Sequence, residues 1–273
     1  MEIFRDKVAI VTGGASGIGK GLGEALVKRG ARVILADING QLLEETASAQ
    51  EAAGGKVKPV KLDVTDHPAV KALVDQTVAE HGRLDYIFNN AGIGVFGEAR
   101  DYSYDDWQKV INVNLFGVVN GVAAAYPVMV RQGFGHIVNT ASLAGLVPAS
   151  FLVAYTTSKH GVVGLSHALR IEGADLGVKV SVVCPGFIKT PIYYSPTLKL
   201  NQEKLLAGAP QGLAPEKCAQ VILKGVERNQ ATILVTALAK IAYPLYRLCP
   251  GLIRWLGQQI IKKARRNFRV EDH

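Results

Sequence analysis

Residues 8–19 read VAIVTGGASGIG, a β-branched apolar run that passes directly into three closely spaced glycines. The apolar run predicts a strand over 8–12, and the residues after the first glycines predict a helix over 17–29. The same alternation predicts further strands at 32–37, 57–63, 85–89, 136–140, 179–184 and 231–235, and further helices at 41–53, 67–81, 103–132, 155–176 and 215–228. Strand–helix alternation predicts an α/β fold whose parallel sheet is wrapped by helices on both faces.

The glycines at 13, 17 and 19 permit a tight turn and a close approach of the backbone to a pyrophosphate, whose charge is favoured at a helix amino end. Their spacing, Gly-x-x-x-Gly-x-Gly, differs from the commoner dinucleotide fingerprint. Loop glycines are often only turn formers, but these follow the first strand directly. They therefore favour a dinucleotide site in a Rossmann-type, doubly wound sheet of about seven strands.

Asp37 ends the second predicted strand, about twenty residues past the glycine loop, where a carboxylate can accept hydrogen bonds from an adenosine ribose. The same charge would repel a 2′-phosphate, and no Arg or Lys occupies Ala15, Ser16 or Ile38 to receive one. NAD(H) is therefore favoured over NADP(H). The alternative is that Asp37 caps the next helix, a role that Asn39 could fill instead.

Residues 142–159 read SLAGLVPASFLVAYTTSK and place Tyr155 and Lys159 one helical turn apart, on the same face. A free tyrosine has a pKa near about 10, and an adjacent positive charge would bring it closer to neutral pH, where acid/base catalysis works best. Ser142, just after the strand at 136–140, would hydrogen-bond a substrate oxygen. Singly, Ser142 could be a turn residue, Asn114 a polar group of a helix and Tyr155 a packing residue.

Several further motifs follow in order along the chain. They are Asp63-Val64, Asn89-Asn90-Ala91-Gly92, Asn114, and Pro185-Gly186 with Thr190 in PGFIKT. Together with TGGASGIG at 12–19, Ser142, Tyr155 and Lys159, they resemble the short-chain dehydrogenase/reductase family over residues 4 to about 236. The resemblance implies an NAD(P)-dependent oxidoreductase with the catalytic residues Asn114, Ser142, Tyr155 and Lys159.

The resemblance also implies a cofactor site and an assembly. In the family the lysine holds the nicotinamide ribose, the asparagine holds a water that links the lysine to solvent, and long helices matching 103–132 and 155–176 pair subunits into homodimers or homotetramers. The residues implied to bind NAD are Gly13, Ser16, Gly17, Ile18, Gly19, Asp37, Asp63, Val64, Asn90, Tyr155, Lys159, Ile188 and Thr190.

The expected substrate pocket is lipophilic. It contains Ala144, Phe151, Phe187 and Tyr193, with further apolar neighbours and few anchors for an anion, although some of these residues could instead line the core. A bulky secondary alcohol or ketone of steroid, prostanoid, retinoid or other lipid type fits this pocket better than a sugar or a hydroxy acid. We expect the region 190–212 to form a lid, with Gly208, Pro210, Gly212 and Pro215 allowing it to move.

Two other functions stay open at this point. A catalytically silent NAD(H) sensor or scaffold would be expected to have lost catalytic residues, and none of the four is lost here. Dehydratase or epimerase chemistry on nucleotide sugars also occurs on this fold, and the fold alone does not exclude it.

Composition limits the remaining classes. The 273 residues are 48% hydrophobic, which suits one large domain, expected over 1–236, without a signal peptide and in the cytoplasm. The three scattered cysteines, with His160 and His167, lack metal-ligand spacing, so no metal is expected. The net charge of +8 lies mostly in residues 240–273, with eight Lys or Arg against two acidic residues, and no nucleic-acid footprint is expected on the body.

Residues 237–273 are predicted to form a basic amphipathic extension. Leu252, Leu256, Ile260 and Ala264 recur at every fourth position, and the basic residues are expected mostly on the other side, at Arg254, Lys262, Arg265, Arg266 and Arg269. The favoured alternative is that this apolar stripe packs on its own subunit or on a neighbour. The other is peripheral contact with an anionic membrane, with Trp255 at the interface.

Overall fold

The computed structural model describes residues 3–207 and 211–268, and for residues 205, 206 and 268 it describes the backbone only. Seven strands form one parallel sheet in the order β3-β2-β1-β4-β5-β6-β7. The strands are β1 Val8–Thr12, β2 Arg32–Asp37, β3 Lys56–Lys61, β4 Tyr86–Asn89, β5 Gly135–Thr140, β6 Val178–Cys184 and β7 Thr232–Leu234. The predicted doubly wound α/β fold is confirmed.

Helices connect successive strands and continue past the last one. They are α1 Gly17–Val27, α2 Gly40–Ala52, α3 His67–His81, α4 Tyr104–Ile111, α5 Gly117–Gln132, α6 Val153–Glu172, α7 Gln202–Ala207, α8 Pro215–Glu227, α9 Ala237–Leu248 and α10 Pro250–Phe268. In the expected lid, a 3₁₀ turn at Pro191–Tyr194 precedes α7. Two of its four predicted hinge residues, Gly208 and Pro210, lie outside the described residues, and Pro215 begins α8.

Two predicted elements are corrected. The single helix predicted over 103–132 is α4 and α5 joined by a π turn at Asn112–Phe116. The strand predicted over 57–63 ends at Lys61, and Asp63 begins a turn by accepting hydrogen bonds from the Thr65 amide and hydroxyl at 2.9 and 2.8 Å. Other predicted boundaries differ from the observed ones by a few residues, as is usual at element ends.

Alternate strand residues divide the core between the two faces of the sheet. Val8 and Ile10 lie in a cluster with α3, α5 and α6, whereas Ala9 and Val11 lie in a cluster with α1, α2 and α8. Because helices cover both faces, every residue of β1 is buried, which explains the uninterrupted apolar run in the sequence.

The strand order reverses at β1, which pairs with β2 on one side and β4 on the other. In sheets of this type, ligands bind outside the carboxyl ends of the strands at such a switch point. The motif residues identified in the sequence follow the carboxyl ends of β1, β2, β4, β5 and β6 or lie on the adjoining helices. The fold therefore gathers them at one edge of the sheet.

The long helix Tyr104–Gln132 is the one helix among the described residues that is long and apolar enough to cross a membrane, with a mean hydropathy of 1.6. Half of that apolar window is buried inside the protein, and its α5 part packs on α3 and on the strands. Core helices of doubly wound folds have this composition because they are covered by the sheet on one side. We interpret Tyr104–Gln132 as a core helix.

A chain of buried amides ties β4 and β5 to α6. The Asn89 amide donates to Asn139 Oδ1 at 2.9 Å, and the Asn139 amide donates to Ser166 Oγ at 3.0 Å. On α5, Gly121 lies directly against Asn89, and a Cβ there would come within 1.9 Å of Asn89 Oδ1. Close packing of α5 on β4 therefore depends on glycine at 121.

Gly121→Ala is predicted to destabilise the protein by about 1–3 kcal/mol, because the added methyl group overlaps a buried amide that has no room to move. Gly164→Ala is the matched control, since Gly164 is also inside a helix but has no atom within 4 Å of the added Cβ. There alanine should stabilise by up to about 1 kcal/mol. Urea unfolding of both variants measures the difference, and equal midpoints would contradict the packing argument.

Candidate active site

The glycine loop after β1 is an open backbone cradle at the amino end of α1. Gly13 and Gly17 have φ of +66° and +52°, a conformation that favours glycine. A Cβ on Gly13 would lie 2.9 Å from Ala91 Cα, and one on Gly19 would lie 1.9 Å from the Gly13 carbonyl oxygen. All three positions therefore require glycine. Ser16 is the N-cap residue of α1, and its hydroxyl makes no capping hydrogen bond within the protein.

Asp37 lies at the carboxyl end of β2 and contacts the glycine loop. One carboxylate oxygen accepts from the Ala15 amide at 3.0 Å, and the other accepts from the Asn39 amide at 3.0 Å. Asn39, not Asp37, caps α2, through a bond from the Leu42 amide at 3.1 Å. The alternative interpretation of Asp37 as a helix cap is therefore wrong.

Asn90 fastens the ends of three strands. Its side-chain amide donates to the Thr12 carbonyl at 3.0 Å, and its Oδ1 accepts from the Thr140 hydroxyl at 3.3 Å. Its backbone amide donates to Thr12 Oγ1 at 2.9 Å. Asn90 thus holds β1, β4 and β5 together beneath the loop, and its side chain faces Gly19.

The other residues implied to bind the cofactor do not all lie at the glycine loop. Thr190 lies against the glycine loop, because a Cβ on Gly17 would be 3.0 Å from its methyl carbon. Ile18 is partly buried against the core, and Val64 and Ile188 are buried in it. The exposed Asp63 carboxylate accepts from Thr65. The structure therefore brings Thr190 to the loop, but it turns the side chains of Val64 and Ile188 into the protein.

Ser142 and Tyr155 meet at the carboxyl end of β5. Ser142 Oγ accepts from the Ala144 amide at 3.1 Å and shapes the turn at Leu143–Gly145. Burial raises the pKa of Tyr155, and the hydrogen bond between the side chains of Ser142 and Tyr155 acts in the opposite direction. The serine is therefore the neighbour that stabilises the phenolate.

Lys159 is 2% exposed, and its Nζ donates to the Thr140 carbonyl at 2.8 Å. Nζ lies 5.5 Å from the centroid of the Tyr155 ring, as predicted for side chains one helical turn apart. Burial lowers the pKa of Lys159 to about 8. The Thr140 carbonyl oxygen therefore stabilises the buried ammonium, and the lowered pKa brings its proton release closer to neutral pH.

Asn114 is fully buried in the π turn and clamps the segment after β4. Its Oδ1 accepts from the Ile93 amide at 2.8 Å, and its Nδ2 donates to the Ile93 carbonyl at 2.9 Å and to Ser158 Oγ at 3.3 Å. A Cβ on Gly92 would lie 3.2 Å from Asn114 Oδ1 and 3.4 Å from Lys159 Nζ. The amide and the ammonium therefore border the same small space.

A protein-family model described as short chain dehydrogenase matches residues 7–199. The chain belongs to the short-chain dehydrogenase/reductase family. The solved structure of a family member from Burkholderia phymatum in complex with NAD superposes with a TM-score of 0.83, at 30% identity over 91% of this chain and 95% of that one.

Curated relatives agree with the family. The chain is 37% identical to the putative oxidoreductase SadH of Mycobacterium tuberculosis over 91% of this chain and 92% of that protein. It is 36% identical to the cyclohexanol dehydrogenase of Acinetobacter sp. strain SE19, over 80% and 87% of the two chains. The protein is therefore an oxidoreductase of a family that uses NAD or NADP.

Of the predicted pocket residues, Tyr193 lies near Tyr155, and Phe187 packs against Tyr193. Phe187 and Tyr193 stack with ring centroids 6.3 Å apart, and burial raises the pKa of Tyr193 to about 12, with Tyr155 near enough to raise it further. Ala144 is buried, and Phe151 is partly buried with φ of +61°. The neighbouring Tyr194 is 74% exposed and contributes to the outer surface.

Sequence reasoning missed the segment Val95–Glu98, which borders the pocket from the side of β4. The Gly97 amide donates to the Phe151 carbonyl and the Phe96 amide to the Pro196 carbonyl, each at 2.9 Å. This segment therefore joins the Phe151 turn to the region 190–212. The one indication in the sequence is the glycine at 97. The structure explains it, because a Cβ there would lie 2.8 Å from Leu198 Cβ.

The sulfur and imidazole groups near the site have structural contacts. Cys184 is fully buried below Ser142 and Lys159, and burial raises the pKa of its thiol to about 12. His160 contacts the Thr156 carbonyl at 2.9 Å, and His167 contacts Thr232 Oγ1 at 3.0 Å. Both imidazole rings therefore contact groups of the protein itself.

Proposed function

We propose that the protein transfers a hydride between NAD(H) and a lipophilic secondary alcohol or ketone of steroid, prostanoid, retinoid or other lipid type. The observation that carries the proposal is the meeting of Ser142, Tyr155 and Lys159 at the carboxyl edge of the sheet, beside the glycine cradle. The similarity to a cyclohexanol dehydrogenase, named for a cyclic secondary alcohol, supports the alcohol class.

The cradle fits a dinucleotide. Glycines that a Cβ would crowd leave backbone amides open at the amino end of α1, where a pyrophosphate is stabilised. The residues that would hold it are Gly13, Ser16, Gly17 and Gly19, with Thr190 on the far side of the loop. The chemistry that the dinucleotide supplies when bound is acceptance or donation of a hydride at the substrate's carbinol or carbonyl carbon.

Asp37 supports NAD rather than NADP. Its carboxylate is fixed by two backbone amides at the end of β2, where an adenosine ribose is expected. A 2′-phosphate there would meet negative charge, and the neighbouring positions Ala15, Ser16 and Ile38 supply no cation.

Tyr155 is the proposed acid/base. In oxidation its phenolate accepts the proton of the substrate hydroxyl, and in reduction its hydroxyl returns that proton to the carbonyl oxygen. Ser142 donates to the same substrate oxygen and orients it toward Tyr155. Burial opposes ionisation of the phenol, so the Ser142 hydrogen bond and the Lys159 ammonium together must favour the phenolate.

Lys159 and Asn114 serve this acid/base. With a pKa of about 8, Lys159 remains largely protonated at neutral pH and can pass a proton on with little cost. Asn114 fixes the Ile93 segment and Ser158 around the ammonium. The role of Asn114 as holder of a water that connects Lys159 with solvent is part of this proposal.

Assembly and location stay predictions. Phe116 and Ile171 are 52% and 78% exposed on the helices that pair subunits in the family, which supports a homodimer or homotetramer. A cytoplasmic location is expected from the sequence alone.

Tyr155→Phe is predicted to lower turnover by roughly 10²–10⁴-fold, because only the titratable oxygen is lost. NADH affinity should stay within a few fold, whereas Lys159→Ala should reduce both turnover and affinity. Hydrophobic secondary alcohols with NAD⁺, followed by NADH absorbance, provide the assay, with Tyr104→Phe at a 75% exposed tyrosine as control. Near-normal turnover of Tyr155→Phe would refute the acid/base role.

Ser142→Ala is predicted to move the pH profile of alcohol oxidation. Its hydrogen bond lowers the pKa of Tyr155, so its removal raises that pKa, and the rise of rate with pH should shift to higher pH. At neutral pH the rate should fall on the order of 10²-fold. Initial rates across the pH range measure this, and a lower rate with an unshifted profile would limit Ser142 to substrate orientation.

Cofactor choice is predicted to depend on the charge of Asp37. Asp37→Asn keeps an oxygen for backbone bonding but removes the charge, so the preference for NAD over NADP should fall at least tenfold, or about 1.4 kcal/mol. The ratio of kcat/KM for the two cofactors is the measurement, with Asp37→Ala as the variant that also releases the loop. A wild-type preference for NADPH would disprove the assignment.

A further inference from the structure

The helices α9 and α10 carry an unusual amount of exposed apolar surface. They contain eight of the sixteen exposed large hydrophobic or aromatic residues in the described part of the chain. These eight, here called the outer face, are Leu238, Ile241, Leu245, Leu248, Leu252, Trp255, Leu256 and Ile260, at exposures from 37% to 81%. Their spacing of three to four residues within each helix places them on one side. An accumulation of exposed apolar side chains on two neighbouring helices is typical of an interaction site.

The opposite sides of α9 and α10 pack against the rest of the protein. Ala239 and Ala264 are 0% and 5% exposed, and α10 packs on both α9 and α7. Positions four apart drift by about 40° around a helix, so the predicted stripe rotates from an exposed Leu252 to a buried Ala264. Leu252, Leu256 and Ile260 therefore do not pack on their own subunit, whereas packing of this stripe on a neighbouring subunit stays a prediction.

An ion pair fixes the direction in which the outer face points. Arg265 Nε and Nη2 donate to Glu98 Oε2 at 3.0 and 2.8 Å, and this bonding, with help from Arg100, holds the pKa of the buried Glu98 carboxyl below its usual range. Glu98 follows Gly97, which bonds the Phe151 turn beside the pocket. Since α10 is anchored from its inner side, the outer face is presented to solvent next to the substrate side of the domain.

The charges around the outer face indicate what kind of partner it binds. Residues 237–268 contain seven Lys or Arg and no Asp or Glu. All seven are exposed: Arg265, which pairs with Glu98, and Lys240, Arg247, Arg254, Lys262, Lys263 and Arg266. A second copy docked symmetrically on this face would bring like charges together. A partner with an apolar interior and a negatively charged surface avoids that repulsion.

We propose that the outer face of α9 and α10 binds the surface of an anionic lipid bilayer. The leucines and isoleucines enter the boundary between headgroups and acyl chains, Trp255 lies at the interface, and the lysines and arginines contact lipid phosphates. Neither helix spans the membrane. Binding of this kind is measured without turnover, so its outcome is independent of the proposed oxidoreductase substrate.

Sedimentation of the full chain with vesicles tests the proposal. At low salt the protein should sediment with vesicles of phosphatidylcholine and phosphatidylserine. High salt, or vesicles of phosphatidylcholine alone, should weaken binding about tenfold or more. Leu252→Gln/Leu256→Gln and Lys262→Glu/Lys263→Glu should each weaken binding about tenfold or more.

Matched controls carry the same substitutions elsewhere. Leu42 and Leu176 are 38% and 41% exposed, close to Leu256 at 40%, and Lys217 and Lys224 are exposed on α8. Leu42→Gln/Leu176→Gln and Lys217→Glu/Lys224→Glu should bind as the wild type does. Circular dichroism confirms that each variant is folded.

Two results overturn the proposal. In the first, the intact protein stays in the supernatant with anionic vesicles at low salt. If light scattering then shows a smaller particle for Leu252→Gln/Leu256→Gln than for the wild type, the outer face joins copies of this chain. In the second, the control pairs weaken binding as much as the pairs on α10, so the binding is a nonspecific effect of net charge or hydrophobicity.

Discussion

A buried ammonium that has no carboxylate partner among the described residues is the constraint on which the candidate site depends. Lys159 Nζ is desolvated and donates to the Thr140 carbonyl, so its charge is stabilised by backbone dipoles and hydrogen bonds. A carboxylate at that point would hold the proton of Lys159 more tightly and would cancel the positive charge of the ammonium. The surroundings are correspondingly small and uncharged: Gly92 leaves room at Nζ, and a Cβ on Gly145 would lie 2.5 Å from the Lys159 carbonyl oxygen. The lowered pKa of about 8 is the consequence of that arrangement.

The π turn at Asn112–Phe116 follows from the same requirement. A regular helix would satisfy its own backbone, but it would not direct the Asn114 amide at both backbone groups of Ile93. That two-point clamp closes the segment after β4 over Lys159, and π turns of this kind are common at functional sites. Asn90 performs a similar task one strand away, where it binds Thr12 and Thr140. Amide side chains thus position the site because they bond donors and acceptors of neighbouring backbone at once.

Local signals were enough for much of the fold. The strands Val8–Thr12 and Arg32–Asp37 and the helix His67–His81 agree with their predicted bounds, since buried apolar runs define the strands while the Asp66 cap and the left-handed Gly82 define the helix ends. The pairing of Tyr155 with Lys159 also followed from spacing alone. The π turn, the bridging segment at Phe96 and Gly97, and the inward side chains of Val64 and Ile188 did not, because contacts distant in sequence determine them.

The extension after residue 236 exposes more apolar and basic side chains than the body does, but it packs against the body. Glu98 is nearly buried in the body, and a carboxylate in that position needs a cation to remain ionised. Arg100 supplies one contact, but Arg265, 167 residues further along the chain, supplies two more. The segment that borders the pocket therefore depends electrostatically on the last described helix. Through Glu98 and the neighbouring Gly97, whose amide bonds the Phe151 carbonyl, the last described helix is therefore joined to the turn that holds Phe151.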